Sequence, residues 1–133
     1  MRILILDDDP DICALLEAAL TGKGHEVTAL SDPTEFPLFN DQKCPCKPED
    51  ICTDVLIADI VMPKIEGIEF VSDLKKKGCW PLKLGNVAVM SGFLTLHYMI
   101  ELHAMGIHYF RKPFELKEIF DWLEGCQERL ETS

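Results

Sequence analysis

The sequence predicts an α/β domain built on a doubly wound parallel sheet of five strands. Three observations predict it. Apolar runs at 3–6, 55–58 and 87–90 are unbroken but too short for helices, as expected of strands buried on both faces. Segments with helical spacing of apolar residues fall between the runs, so that βα repeats five times and the strands lie parallel with right-handed crossovers. Each run also stops at a polar residue, among them Asp7, Asp59 and Ser91, at the strand end where open α/β sheets bind ligands.

The first strand reads Arg2-Ile3-Leu4-Ile5-Leu6 and is followed by Asp7-Asp8-Asp9-Pro10. Asp9 offers a side-chain acceptor at an N-cap, and Pro10 suits the first helical position. Ile12, Leu15, Leu16, Ala19 and Leu20 then recur at helical spacing until Gly22 and Gly24. Glu26 to Leu30 is a second strand, with Val27 and Ala29 turned inward. Asp32-Pro33-Thr34-Glu35 starts another helix that Pro37 cuts short, and residues 40–53 read as an extended loop carrying Cys44, Cys46 and Cys52.

The third strand, 55–58, ends at Asp59, and a turn over 59–66 leads to Gly67 and a helix at 68–77. Residues 81–85 are expected to be a connector. Asn86 to Met90 is the fourth strand, ending at Ser91-Gly92, and 94–105 is a helix apolar over much of its circumference. Ile107 to Phe110 is the fifth strand. After the turn Arg111-Lys112-Pro113-Phe114, an amphipathic helix runs from Glu115 to Leu130 with Leu116, Ile119, Phe120, Leu123 and Leu130 inward.

Composition narrows the function. The 133 residues fit one domain, 1–133, with an ordinary soluble balance of 47% hydrophobic and 27% charged residues. A net charge of -10 argues against direct nucleic-acid binding and against an anionic membrane surface. No apolar run approaches a membrane span and nothing resembles a signal peptide, so a cytoplasmic location is expected. The three loop cysteines, spaced C-x-C-x5-C, lack the four ligands of a structural zinc site and read as reduced thiols. Cys13, Cys79 and Cys126 read as small hydrophobes. The four histidines show no ligand spacing, and His97 and His103 are expected on a helix surface.

The chemistry gathers at one edge. With the first and third strands neighbours at the sheet centre, Asp7, Asp8 and Asp59 meet there, and Ser91 and Lys112 arrive from the fourth and fifth strands. Close carboxylates repel one another, more so when buried, and a hard divalent cation such as Mg2+ relieves the conflict through oxygen ligands. A carboxylate oxygen of Asp59 can then attack phosphorus in line, Lys112 can neutralise one equatorial oxygen, and the Ser91 hydroxyl can hydrogen-bond another.

Ile3 to Pro10, Asp54 to Pro63 with Gly67, Val87 to Gly92, and Tyr109 to Phe114 resemble the motifs of the receiver domain of bacterial two-component response regulators. The resemblance spans nearly the whole chain. It implies strand order 2-1-3-4-5 in a flavodoxin-like three-layer sandwich, and a stand-alone receiver akin to the chemotaxis regulator. It also implies that Asp59 takes a phosphoryl group from a histidine kinase or phosphotransfer protein. Asp8, Asp59 and the main-chain carbonyl of Val61 would ligate Mg2+ directly, and Asp7 largely through water. Ser91 and Tyr109 would form the switch, acting on an output surface at about 94–130 that engages an output protein and supports a homodimer on phosphorylation. No enzyme activity is implied beyond self-catalysed phosphoryl acceptance and slow autodephosphorylation.

Two other readings compete. Asp7-x-Asp9 fits the nucleophile motif of haloacid-dehalogenase-like phosphatases, although the acids after Lys112 fall on a helix rather than forming the acidic pair those enzymes need. A pseudo-receiver would bind partners without phosphate chemistry. The presence of all five expected residue types weighs against it.

Overall fold

A computed structural model describes residues 1–31, 53–59, 61–62, 65–66, 69, 72–73, 76, 80–92 and 94–132. The expected second helix, the cysteine-bearing loop at 40–52 and most of the helix at 68–77 lie outside the described residues. Within that last segment Glu69, Ser72, Asp73 and Lys76 are helical.

The five strands are β1 (Arg2–Leu6), β2 (Glu26–Leu30), β3 (Val55–Asp59), β4 (Val87–Ser91) and β5 (His108–Arg111). They form one parallel sheet in the order β2-β1-β3-β4-β5. Every residue of β3 and β4 is buried, which is why those runs show no polar alternation in sequence. The helices are α1 (Pro10–Gly22), α2 (Trp80–Leu84), α3 (Leu96–Ala104) and α4 (Leu116–Thr132).

Strand alternation splits the core into two layers. Leu4, Leu6, Leu56, Ala58, Val87 and Val89 face one side, with Leu94, Leu102 and Ile107 packed on them. Ile3, Ile5, Val55, Ile57, Ala88, Met90 and Phe110 face the other, against Leu16 and Leu20 of α1 and Ile119, Leu123 and Cys126 of α4. Each fully buried Leu or Ile contributes about 1.5–3 kcal/mol by leaving water. Val27 and Ala29 turn toward the second layer, as expected.

Several local expectations need correction. Leu15 is 46% exposed, because the buried stripe of α1 narrows to Leu16 and Leu20 with Ile12 and Ala19 at its margin. Residues 80–84 are helical where a connector was expected. Pro81 is compatible with a first helical turn, and Gly85 at φ +78° supplies the left-handed residue that ends it. The stretch after Asp59 contains an antiparallel ribbon, Val61–Met62 against Ile65–Glu66, rather than a plain turn. β5 begins and ends one residue later than expected, and α4 continues to Thr132.

Opposite the acidic edge, polar side chains stitch the strand starts together. Asn86 is fully buried and gives its amide to the carbonyls of Asp54 and Cys126, both at 3.3 Å. Its oxygen accepts from Arg129 Nε at 2.8 Å, tying α4 to the sheet. Asp54 accepts the Arg2 amide at 2.8 Å and so links β3 to β1.

Candidate functional site at the carboxyl edge of the sheet

The site begins where β1 stops. Asp7 is fully buried and its amide donates to the Leu30 carbonyl at 3.1 Å. One carboxylate oxygen, Oδ1, accepts from the Asp9 amide at 2.9 Å, which shapes the turn into α1. Asp9 in turn caps α1 by accepting from the Asp11 amide, as the Asp-Pro pair predicts. Asp8, between these anchored acids, stays exposed.

Asp59 closes β3 and is 7% exposed, with Met90 of β4 beside it in register. Ser91 closes β4 and is 3% exposed. The Lys112 amide donates to the Ser91 carbonyl at 2.8 Å, extending the β4–β5 pairing past the end of the strand, and the Lys112–Pro113 peptide is cis. The Lys112 side chain reaches back over the sheet edge. There Nζ donates to Asp7 Oδ2 at 2.8 Å and to Asp59 Oδ2 at 3.0 Å.

Asp7, Asp8 and Asp59 each offer a carboxylate oxygen, and the three oxygens lie within 4.8 Å of one another. Burial by itself lowers the Lys112 pKa, but hydrogen bonds to Asp7 and Asp59 and their charges outweigh it, so the net shift is upward. The Cys13 thiol donates to the Asp7 carbonyl at 3.2 Å and is pushed up, first by burial and then by the charge of Asp7. It is therefore held as a neutral thiol beside the site.

The five side chains expected at this edge are thus distributed as follows. Asp7, Asp8, Asp59 and Lys112 form one cluster, and Ser91 lies buried at the adjoining strand end. Val61 sits two residues past Asp59 at the start of the ribbon. Tyr109 is half-buried against the α3-side layer, in register with Val89. Sequence reasoning missed the opposite network of Asp54, Asn86 and Arg129. A polar Asn at the head of an otherwise apolar strand was the available signal.

The residues fit a divalent ion. Two oxygens bound at magnesium distance are at most roughly 4.2 Å apart, so the present spread closes by less than about 1 Å. All three donors are hard carboxylates, and exposed Asp8 leaves one side open to water.

A five-stranded 2-1-3-4-5 parallel sheet with an acid cluster and a lysine at its carboxyl edge defines a flavodoxin-like domain, and known structures match it. A response regulator receiver domain protein from Clostridium thermocellum superposes with a TM-score of 0.77 at 25% identity, covering 98% of this chain and 97% of that one. The chemotaxis protein CheY4 of Vibrio cholerae gives a TM-score of 0.74 at 24% identity, covering 94% and 97%. The family model for the response regulator receiver domain matches residues 3–124, and the chain belongs to that family.

Among curated relatives, YrkP of Bacillus subtilis strain 168, described as an uncharacterized transcriptional regulatory protein, is 34% identical over 119 residues, 89% of this chain and 46% of that protein. The transcriptional regulatory protein TcrA of Mycobacterium tuberculosis is 29% identical over 97% of this chain and 47% of its own length. The chain spans about half the length of these relatives. It is the receiver domain of a two-component response regulator, a signalling domain. Among the described residues no helix is long and apolar enough to cross a membrane.

Proposed function

We propose that Asp59 is the phosphoacceptor of this receiver, taking a phosphoryl group from a histidine kinase or phosphotransfer protein in the cytoplasm. The observation that carries the reading is the Lys112 ammonium, held within 3.0 Å of both Asp7 and Asp59 while Asp8 lies in the same cluster. Asp7 is anchored through both carboxylate oxygens, Oδ1 by the Asp9 amide and Oδ2 by Lys112. The same anchoring disfavours the phosphatase reading, in which Asp7 would attack.

Asp8 and Asp59, with the Val61 carbonyl, would hold Mg2+, and Asp7 would reach it through water. The ion would offset charge on the phosphoryl oxygens. Lys112 balances the acids before transfer and meets a phosphoryl oxygen afterwards, and Ser91 supplies a hydroxyl to another. Ser91 and Tyr109 then pass the change to α3, β5 and α4, the face at about 94–130, where an output protein or a second copy docks. Catalysis ends with self-phosphorylation and slow loss of the group, so the domain acts as a signalling switch and not as an enzyme on other substrates.

The test is intact mass after incubation with acetyl phosphate and magnesium. One added phosphoryl group, mapped to Asp59 and lost in Asp59→Asn, is expected. An adduct that survives in Asp59→Asn but disappears in Asp7→Asn would overturn the assignment.

A further inference from the structure

The acidic edge that accepts phosphate also repels phosphate donors, and one cation there pairs with no acid among the described residues. Among the described residues, the carboxyl edge carries three cationic side chains. Lys112 is engaged by Asp7 and Asp59, and Lys117, in the first turn of α4, pairs with Asp121 at 3.1 Å. Arg111 is exposed, and its guanidinium donates instead to a neutral acceptor, the Met99 sulfur on α3, at 3.4 Å.

Its placement is set by the sheet. Arg111 pairs in register with Ser91, just as Tyr109 pairs with Val89. Val89 and Tyr109 face the α3-side layer, so Ser91 and Arg111, two residues further along each strand, emerge on the same face and side by side. A forked cation therefore adjoins the buried serine at the mouth of the site, one residue before Lys112. A thioether is a weak acceptor, whereas an Arg–phosphate pair is charge-assisted and can be bidentate. Exchange of sulfur for phosphate oxygens is favourable.

We propose that Arg111 is a phosphodonor-binding residue, whose guanidinium leaves Met99 and takes two oxygens of the incoming phosphoryl group ahead of transfer. With acetyl phosphate as donor, the bond from an Asp59 oxygen to phosphorus forms as the bond from phosphorus to the acetate oxygen breaks. Acetate leaves with that electron pair, and no proton or redox partner is required. The inference rests on Asp59 as phosphoacceptor. It adds the residue that collects an anionic donor at an edge whose chain carries a net charge of -10.

The experiment is the initial rate of phosphorylation against acetyl phosphate concentration, with magnesium, from low to high ionic strength. Arg111→Gln is expected to raise the half-saturating donor concentration by about five- to tenfold, with less than about a twofold change in the maximum rate. It should also flatten the salt dependence. Arg111→Lys, which keeps the charge but loses the fork, should fall between the parent and Arg111→Gln. Met99→Leu, which removes the sulfur acceptor, should leave that affinity equal or tighter.

Parent-like saturation and salt dependence in Arg111→Gln would overturn the proposal. So would an Arg111→Lys protein as weak as Arg111→Gln, or a Met99→Leu protein weakened to the same extent, which would make the arginine a clamp on α3. A parent that gains no phosphoryl group sinks the Asp59 assignment and this one together, whereas loss of the Arg111 effect alone leaves Asp59 standing.

Discussion

Replacing Lys112 by methionine tests the electrostatic centre of the site. The lysine side chain is 23% exposed and its partners are 0% and 10% exposed, so the contacts behave as partly buried pairs and not as surface ones. At an effective dielectric near 20, contacts of 2.8 and 3.0 Å are each worth about 6 kcal/mol before desolvation. Three carboxylate oxygens within 4.8 Å repel by about 3 to 4 kcal/mol per pair on the same scale. The two attractions therefore roughly balance the three repulsions, and methionine keeps the aliphatic stem while removing only the attractions. Relaxation, water entry and proton uptake by the cluster limit the loss. A net destabilisation of about 3–5 kcal/mol at neutral pH without metal is expected.

Urea denaturation of parent and Lys112→Met, each with and without magnesium, measures it. Magnesium should return much of the loss, because a divalent cation replaces the missing charge. In an Asp59→Asn background the same substitution should cost less, since one of the two attractions is already gone. The pH dependence has a definite sign. Because the folded pKa of Lys112 is raised above 10.5, its contribution is fully present below that value and is lost as pH rises through the higher folded pKa. The gap between parent and variant should thus close in strong alkali. A loss under about 1 kcal/mol, the size of a surface pair, would refute the reasoning.

Magnesium should raise the melting temperature of the parent, because the ion binds the gathered acids and not the unfolded chain. Asp8→Ala should abolish that rise while stabilising the metal-free protein, as read by calorimetry. At the opposite edge, Asn86→Ala removes the buried partner of Arg129 Nε and of two carbonyls, and should cost about 1–3 kcal/mol in urea denaturation. Phosphoryl uptake per folded molecule should be unchanged, since Asn86 lies at the strand starts and the acids at the strand ends.

Much of the site was legible because its chemistry is written at strand ends. Asp7, Asp8, Asp59 and Ser91 follow short apolar runs, Lys112 follows the last strand, and a parallel sheet sends all such ends to one edge. The cap at Asp9 was legible for an equally local reason, an acceptor followed by proline. Leu15 was misjudged because helical spacing shows which residues share a side of α1, but not how wide a stripe the sheet covers. The helix at 80–84 was missed because five residues are too few for periodicity to register.

The sequence by itself determined the alternation of strands and helices, the apolar faces and the residue types at the edge, since these follow from local pattern and burial. Only the tertiary structure decided how the charges are shared. That Lys112 spans Asp7 and Asp59, that Asp7 is locked by the Asp9 amide while Asp8 stays open, and that Arg111 rests on Met99 all depend on distances between chain segments. Coulomb energies and hydrogen bonds change steeply over an ångström, and sequence spacing carries no such distance.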